Sequence, residues 1–539
     1  MEDIQKYYGN IVDVNNKNIF KGYIEVKNGK ILSIVKENND EEQYILPGLV
    51  DAHVHVESSM LIPSEFARLA VIHGTVACVS DPHEIANVCG IEGVQFMINN
   101  GKKVPFHFYF GAPSCVPATS FESAGAIIGH KEIELLLSMK EIKYLAEMMN
   151  FPGVLYEDAE VMEKIKIAKK YKKAIDGHAP GLTGENAIKY AKTGITTDHE
   201  CININEAIEK IKAGMIIQIR EGSAAKNFDV LVELFKLYPD NIMLCSDDKH
   251  PDDLIKGHIN MLVKRAINNG YDPITVIRAC TKIPITHYGL EVGLLKHGDN
   301  ADFIIVDNLN DFNILETYIN GELVAKNGKS LINSISEQPI NNFNAKYINI
   351  DDLIVKAEGN AIKVIEAYDG QLITGTKIIN ANIKDDQIIS DIQNDIAKIV
   401  VLNRYKEAKP AVGFITGFGF KKGAIASTVA HDSHNIIAAG VNDEDIMIAI
   451  NSLIDIKGGV CIVENKNKTL LPLPVAGLMS TNNGYDFAKE YEIINKKALQ
   501  LCSKLTAPLM TLSFMALLVL PELKLSDKGL FDGKKFTLT

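Results

Sequence analysis

The sequence predicts an α/β protein: a (β/α)₈ TIM-type barrel, a flanking β-sandwich formed by both ends of the first two thirds, and a C-terminal α/β domain. Three observations predict it. Between residues 48 and 285, eight strand-like apolar runs alternate with helix-like stretches. On either side of that segment lie short β-type runs punctuated by Asn-Gly and Gly turns. Beyond about Ile335 the text turns Asn- and Ile-rich, then becomes mixed α/β runs as far as Thr539. The division implied is 1–47 with 286–335 for the sandwich, 48–285 for the barrel and 336–539 for the last domain. A chain of 539 residues has room for all three, at roughly 150 residues per domain.

The flanking strands come first. From Ile4 to Ile45 the runs Gly-Asn-Ile-Val-Asp-Val, Gly-Tyr-Ile-Glu-Val and Lys-Ile-Leu-Ser-Ile-Val are separated by turn residues. A similar texture returns from Gly298 through Asn320-Gly321, so the two ends are expected to share one sandwich. The eight inner strands are expected at Leu49–His55, Thr75–Ser80, Pro105–Phe110, Ile142–Glu147, Ala174–His178, Ile195–His199, Met215–Arg220 and Ile242–Asp247. Helical spacing of apolar residues marks Ser64–Ile72, Asp158–Tyr171, Glu185–Thr193, Asn205–Ala213 and Asp252–Asn268. A doubly wound sheet alternates in the same way. The barrel is preferred because strand ends from every part of the segment carry ionisable residues, whereas an open sheet gathers its ligands at one switch point.

Composition narrows the partners. A net charge of −12 with no Lys/Arg cluster argues against nucleic acid, and 46% apolar with 23% charged residues is ordinary for a globular enzyme. The start of the chain has neither the basic nor the apolar region of a signal peptide, so a cytoplasmic location is expected. The most apolar run, Leu509 to Leu520, is broken by Thr511 and Ser513 and falls short of the roughly 20 residues of a membrane span. It is expected to be a buried segment. The eight cysteines show no Cys-x-x-Cys spacing and read as reduced and mostly buried.

The strongest chemical signal is Asp51-Ala-His53-Val-His55-Val-Glu57. Residues two apart on a strand share a side at roughly 6.5 Å, so both imidazoles can approach one cation from the strand ends. Later strand ends add His178 in Asp-Gly-His-Ala-Pro-Gly, His199 in Thr-Asp-His-Glu, and Asp247 in Ser-Asp-Asp. Four imidazoles and a carboxylate at one face suit Mn²⁺, Fe²⁺ or Zn²⁺ and are hard to explain as satisfied core residues.

At this point the sequence resembles the amidohydrolase superfamily, whose members carry His-x-His on strand one, single histidines on strands five and six, and an aspartate on strand eight. It departs from the carboxylated lysine that usually bridges two metals from strand four. Here that strand ends in Ile142-Lys-Tyr-Leu-Ala-Glu147, which resembles the adenine deaminases, where a glutamate is the bridge. Lys143 is the competing bridge. The segments His53-Val-His-Val-Glu-Ser-Ser, Ser80-Asp-Pro-His-Glu, Ser246-Asp-Asp-Lys-His-Pro and Ala430-His-Asp-Ser-His-Asn extend this likeness over nearly the whole chain.

The resemblance implies hydrolytic deamination of adenine by two divalent cations, Mn²⁺ or Fe²⁺ first and Zn²⁺ as a further option. His53, His55, Glu147, His178, His199 and Asp247 are the implied ligands, and a homo-oligomer is the family habit. A water activated by the cations would attack C6, with Asp247 accepting its proton and passing it to the amine. The ring nitrogen next to C6 must also gain a proton, from Glu200 as first choice or from Glu84. His83, Asp248 and His250 are expected to line the purine pocket. The cluster His431, Asp432 and His434 is left with three readings: a second metal site, a closure over the strand ends, or a buried polar network. Two competing functions share the fold, a cyclic-amide hydrolase of the dihydropyrimidinase kind and a non-catalytic metal-binding assembly protein.

Overall fold

The computed structural model describes residues 4–539; the first three residues, read above for targeting features, lie outside it. Four strands open the chain: β1 (Gln5–Asp13), β2 (Asn18–Lys27), β3 (Lys30–Lys36) and β4 (Tyr44–Pro47). On β2 the buried residues Gly22, Ile24 and Val26 alternate with more exposed ones, as expected of an antiparallel strand with one covered face.

The parallel strands follow. β5 (Leu49–Val54), β6 (Thr75–Ser80), β7 (His107–Ala112), β8 (Ile142–Met148) and β9 (Ala174–Gly177) pair in chain order, as do β10 (Thr197–Asp198), β11 (Ile216–Arg220) and β12 (Ile242–Cys245). Every residue of β5 and β6 is buried, the polar Asp51 and His53 of β5 included, so neither strand shows a polar-out alternation. A backbone hydrogen bond joins the two groups: the Thr196 N–H, just before β10, donates to the Ile175 carbonyl of β9 at 2.9 Å. At the other edge the Asp247 N–H donates to the His53 carbonyl at 2.9 Å, so the segment after β12 lies beside β5.

Four more strands return to the opening sheet: β13 (Phe303–Val306), β14 (Ile314–Ile319), β15 (Glu322–Lys326) and β16 (Lys329–Ser330). β13 pairs antiparallel with β4, Ile305 opposite Ile45, and the order is β16-β15-β14-β13-β4-β1-β2-β3. In place of two separate layers the structure has one continuous eight-stranded sheet. Lys30 bridges Asn300, just before β13, so the sheet curls back on its own small core of Ile24, Val26, Ile45, Phe303 and Tyr318.

Helices start and stop on local signals. The helix Ala159–Lys170 begins behind Asp158, whose side chain accepts from the N–H groups of Glu160 and Val161, and ends in Lys169 and Lys170. The helix expected over 252–268 is two pieces, Pro251–Leu254 and Ile259–Asn268. Between them His258 is fully buried, with Nε2 2.9 Å from Asp51 and Nδ1 2.7 Å from the Thr75 hydroxyl. That anchoring breaks the helix, and helical periodicity alone gives no sign of it. His83 and Glu84 open the helix His83–Gly101.

The last third forms a second eight-stranded, mostly antiparallel sheet running from Ala361–Ala367 to Asn467–Pro472, with the helix Asp443–Ile456 against it. Helix Gly484–Leu501 packs against Pro63–Ala70 and Pro251–Leu254, which brings this region onto the ends of the parallel strands. Among the described residues no helix is long and apolar enough to cross a membrane. All eight cysteines are free and seven are buried.

Candidate metal centre and active site

Each of the six expected ligands sits at the end of a parallel strand or just beyond it, and all are at most 8% exposed. Glu147 is the hub. Its Oε2 lies 2.8 Å from His178 Nδ1 and 3.1 Å from His199 Nε2, while its Oε1 lies 3.4 Å from His55 Nε2. Asp247 Oδ1 faces His55 Nε2 at 3.3 Å and His53 Nε2 at 3.6 Å. The Asp247 backbone is left-handed, at φ 55°, a conformation that costs a non-glycine residue energy. It is held there by hydrogen bonds to the His53 carbonyl and from the His55 N–H.

Several imidazole orientations are set from behind. His55 Nδ1 lies 3.1 Å from the Asp81 carbonyl, so it carries the proton and Nε2 turns its lone pair toward Glu147 and Asp247. His53 stacks on His199 with ring centroids 4.1 Å apart. His53 Nδ1 and Nε2, His178 Nε2 and His199 Nδ1 are buried with no hydrogen-bond partner among the described residues. Buried polar atoms are otherwise almost always paired. Orphaned imidazole nitrogens around a shared carboxylate are the donor set a divalent cation takes, and the groups His53–His199–Asp247 and Glu147–His178–His199 each bring ligand atoms within 4.8 Å of one another. Burial works against the charge on Glu147, yet the imidazoles of His178 and His199 outweigh it and hold the carboxyl well below its usual range.

Lys143, the competing bridge, lies at the start of β8 with its ammonium 5.8 Å from the centre of the Tyr109 ring. It does not line the cavity over Glu147. Asp248 and His83 both line the cavity over the cluster. Asp248 accepts a 2.5 Å hydrogen bond from the Ser58 hydroxyl, and His83 Nδ1 lies 3.1 Å from Asp81 and 3.4 Å from Glu147. His250, expected beside them, turns away. Its Nδ1 is 2.6 Å from the Tyr491 hydroxyl, it does not line the cavity, and burial pushes its imidazole down to about 4.

Glu200 corrects a second expectation. Both its oxygens are taken by the Arg220 guanidinium, Nη2 at 2.9 Å from Oε2 and Nη1 against Oε1, while the same Nη1 lies 2.6 Å from Asp247 Oδ2. Burial would raise the Glu200 carboxyl, but Arg220 and the nearby histidines hold it below its usual value. A carboxylate in that state has no proton to give. Arg220 itself was missed in the sequence. Its signal was a lone arginine at the end of a buried apolar strand, which must find carboxylates.

Glu84 faces the C-terminal region, its two oxygens in contact with His431 Nδ1 and His434 Nε2. Glu84, His431 and His434 form a buried hydrogen-bonded group with ligand atoms within 4.8 Å of one another, and His431, Asp432, Leu372, Phe514, Leu517 and Leu520 line the cavity opposite the ligands. The run Leu509 to Leu520 is therefore buried, as expected, and is also the apolar roof. The space between the ligands and this roof is about 30 Å³. A neighbouring cavity of about 300 Å³ shares Leu372 and Phe514 as its wall.

Residues 44–324 match the amidohydrolase family, and residues 371–537 match the adenine deaminase C-terminal domain. The chain is 53% identical to an adenine deaminase of Methanosarcina mazei, over 99% of this chain and 98% of that one. It is 52% identical to an adenine deaminase of a Sulfurovum species, over 98% of both chains. An adenine deaminase of Borreliella burgdorferi is 49% identical over 99% of both.

Proposed function

We propose that this chain, which belongs to the adenine deaminase family of amidohydrolases, hydrolyses adenine to hypoxanthine and ammonia. The observation that carries the proposal is the convergence of six buried side chains, from strand ends far apart in sequence, on Glu147 and Asp247 beneath a roof that the family-specific domain supplies. The hydrogen bonds joining β9 to β10 and β5 to the segment after β12 support a closed (β/α)₈ barrel over 48–285. The curled sheet then flanks it from the residues before 48 and from 286–335, and 336–539 is the third domain.

His53, His55, Glu147, His178, His199 and Asp247 are suited to hold two divalent cations, with Glu147 shared between them. Nitrogen and oxygen donors without thiolate suit Mn²⁺, Fe²⁺ or Zn²⁺. When bound, the cations supply Lewis acidity and bring the pKa of a water toward neutrality. The residues do the rest. Asp247, oriented by Arg220 through Oδ2, takes a proton from the attacking water and returns it to the departing amine. Glu200 anchors Arg220. His83 and Asp248 orient the purine edge, and the side chains of Phe514, Leu517 and Leu520 cover its face and exclude bulk water. Adenine enters from the larger cavity, past Leu372 and Phe514.

The position of Lys143, against Tyr109 and outside the lining of the cavity over Glu147, supports a deaminase over a cyclic-amide hydrolase. Purified protein loaded with Mn²⁺ is expected to convert adenine to hypoxanthine, followed by ultraviolet absorbance and ammonia release, and to leave adenosine untouched. Opening of dihydrouracil with no ammonia from adenine would reverse the assignment.

A further inference from the structure

Proton donation to the purine ring is the step that neither expected carboxylate can perform. As C6 becomes tetrahedral the adjacent ring nitrogen must gain a proton, and the donor has to line the cavity with a hydrogen to give. Glu200 is locked on Arg220. Asp248 accepts from Ser58. Glu84 accepts from two imidazoles at once. His55, His178 and His199 face Glu147, and His83 is wedged among Asp81, Glu84, Glu147 and Asp432.

We infer that His431, brought in by the C-terminal domain, is the catalytic acid that protonates the ring nitrogen beside C6, with Glu84 and His434 as its positioning residues. The inference rests on the adenine reading above.

The hydrogen bonds around Glu84 fix the protons. The Ala430 N–H donates to His434 Nδ1 at 3.2 Å, so in this neutral ring the proton sits on Nε2 and is donated to Glu84 Oε2. That tautomer leaves Nε2 without the lone pair a cation would need, which makes the Glu84, His431 and His434 trio a hydrogen-bond relay rather than a further metal site. The other Glu84 oxygen faces His431 Nδ1. With one neutral donor already in place, the buried carboxylate takes its counter-charge from His431 as imidazolium, the arrangement by which a buried carboxylate orients a catalytic histidine.

The remaining His431 nitrogen, Nε2, has no partner among the described residues, and the residue lines the cavity. Its ring stacks on Phe514 at 4.6 Å and 9°, and its backbone N–H donates to the Ser513 carbonyl at 3.1 Å, so the helix Pro508–Phe514 sets the ring plane. The charged groups facing it are Glu84 from the helix His83–Gly101, Asp248 from behind β12, and Asp432 and His434 from its own loop. Burial pushes its imidazole down, but Glu84 above all pulls it up to about 9.

The protons balance. Water adds to C6 as one of its hydrogens passes to Asp247, and His431 Nε2 gives its proton to the ring nitrogen. Asp247 then protonates the amine, the C6–N bond breaks and ammonia leaves. The second water hydrogen, left on the new C6 oxygen, returns to His431 as the carbonyl forms.

The test uses the full-length chain loaded with Mn²⁺. His431→Asn is expected to lose about 100-fold to 10,000-fold in kcat with little change in KM and with metal content unaltered. Glu84→Gln, which keeps the shape, is expected to move the alkaline limb of the kcat/KM profile from near 9 toward the ordinary imidazole range. His431→Asn with wild-type metal content and at least a third of the wild-type kcat would overturn the inference, as would a change confined to KM or an alkaline limb unmoved by Glu84→Gln. If His431→Asn does not fold, the Glu84→Gln profile decides alone. Wild-type protein inert toward adenine would overturn the functional reading itself, whereas an active wild type beside an active His431→Asn overturns only the donor assignment.

Discussion

The floor of the cavity is mostly ionisable side chains at or beyond strand ends, among them His55, Glu147, His178, His199 and Asp247, whereas its roof is mainly apolar and comes from the last third of the chain, with His431 and Asp432 its ionisable exceptions. The floor is fixed by hydrogen bonds and ion pairs at 2.6–3.6 Å, among them Arg220 to Asp247 and His178 to Glu147. The roof is fixed by packing and by backbone anchors. Lys524, fully buried, holds two of its members by donating to the Leu372 carbonyl at 2.7 Å and the Phe514 carbonyl at 2.9 Å. The difference teaches how the two sides are held: buried polar contacts fix the floor, within the residues that match the amidohydrolase family, and packing fixes the roof, within those that match the adenine deaminase C-terminal domain.

Variants on the two sides should therefore fail differently. The largest effect is expected at Arg220→Met, which strands the Glu200 and Asp247 carboxylates in a buried site. Stability should fall by about 3–5 kcal/mol in urea denaturation, with kcat down at least about 100-fold. A variant as stable and active as wild type would break the account of the floor. On the roof, Phe514→Ala should raise KM for adenine by about 10-fold to 100-fold, the value of stacking one base on an aromatic ring, while bound metal stays at the wild-type level. Loss of metal in that variant would erase the distinction between the two halves.

The smallest effect concerns pH. Burial lowers the Lys524 ammonium to about 7, against 10.5 as its ordinary value. Between those two values the unfolded chain binds a proton that the folded chain does not, so this residue makes stability rise with pH across that window. The contribution is complete above the unfolded value and is lost as pH falls through about 7. Lys524→Met should flatten the rise between pH 7 and 10 in denaturant midpoints; an identical slope in both proteins would show that Lys524 is already solvated.

The same contrast explains what was legible in the sequence. β6 falls on the expected Thr75–Ser80 and β8 within a residue of Ile142–Glu147, because strands buried on both faces are unbroken apolar runs. The floor could be read for the same reason, since its ligands follow directly on those runs. The roof could not. Leu372, His431 and Phe514 come from separate segments with no shared period, and Glu84 meets His434 across 350 positions. Arg220 was hidden because its meaning depends on Glu200 and Asp247, on two other strands. His258 breaks a helix only because Asp51 and Thr75 wait for it inside the strands.

The most direct measurement is a metal titration of chelator-stripped protein, with adenine turnover and bound metal followed together. Activity is expected to vanish on stripping and to return in proportion to Mn²⁺ added, reaching its plateau at about two ions per chain, the number a shared carboxylate between cations implies. Full turnover in the stripped protein, or recovery that ignores the metal bound, would contradict the claim that these six side chains hold the reaction's cations.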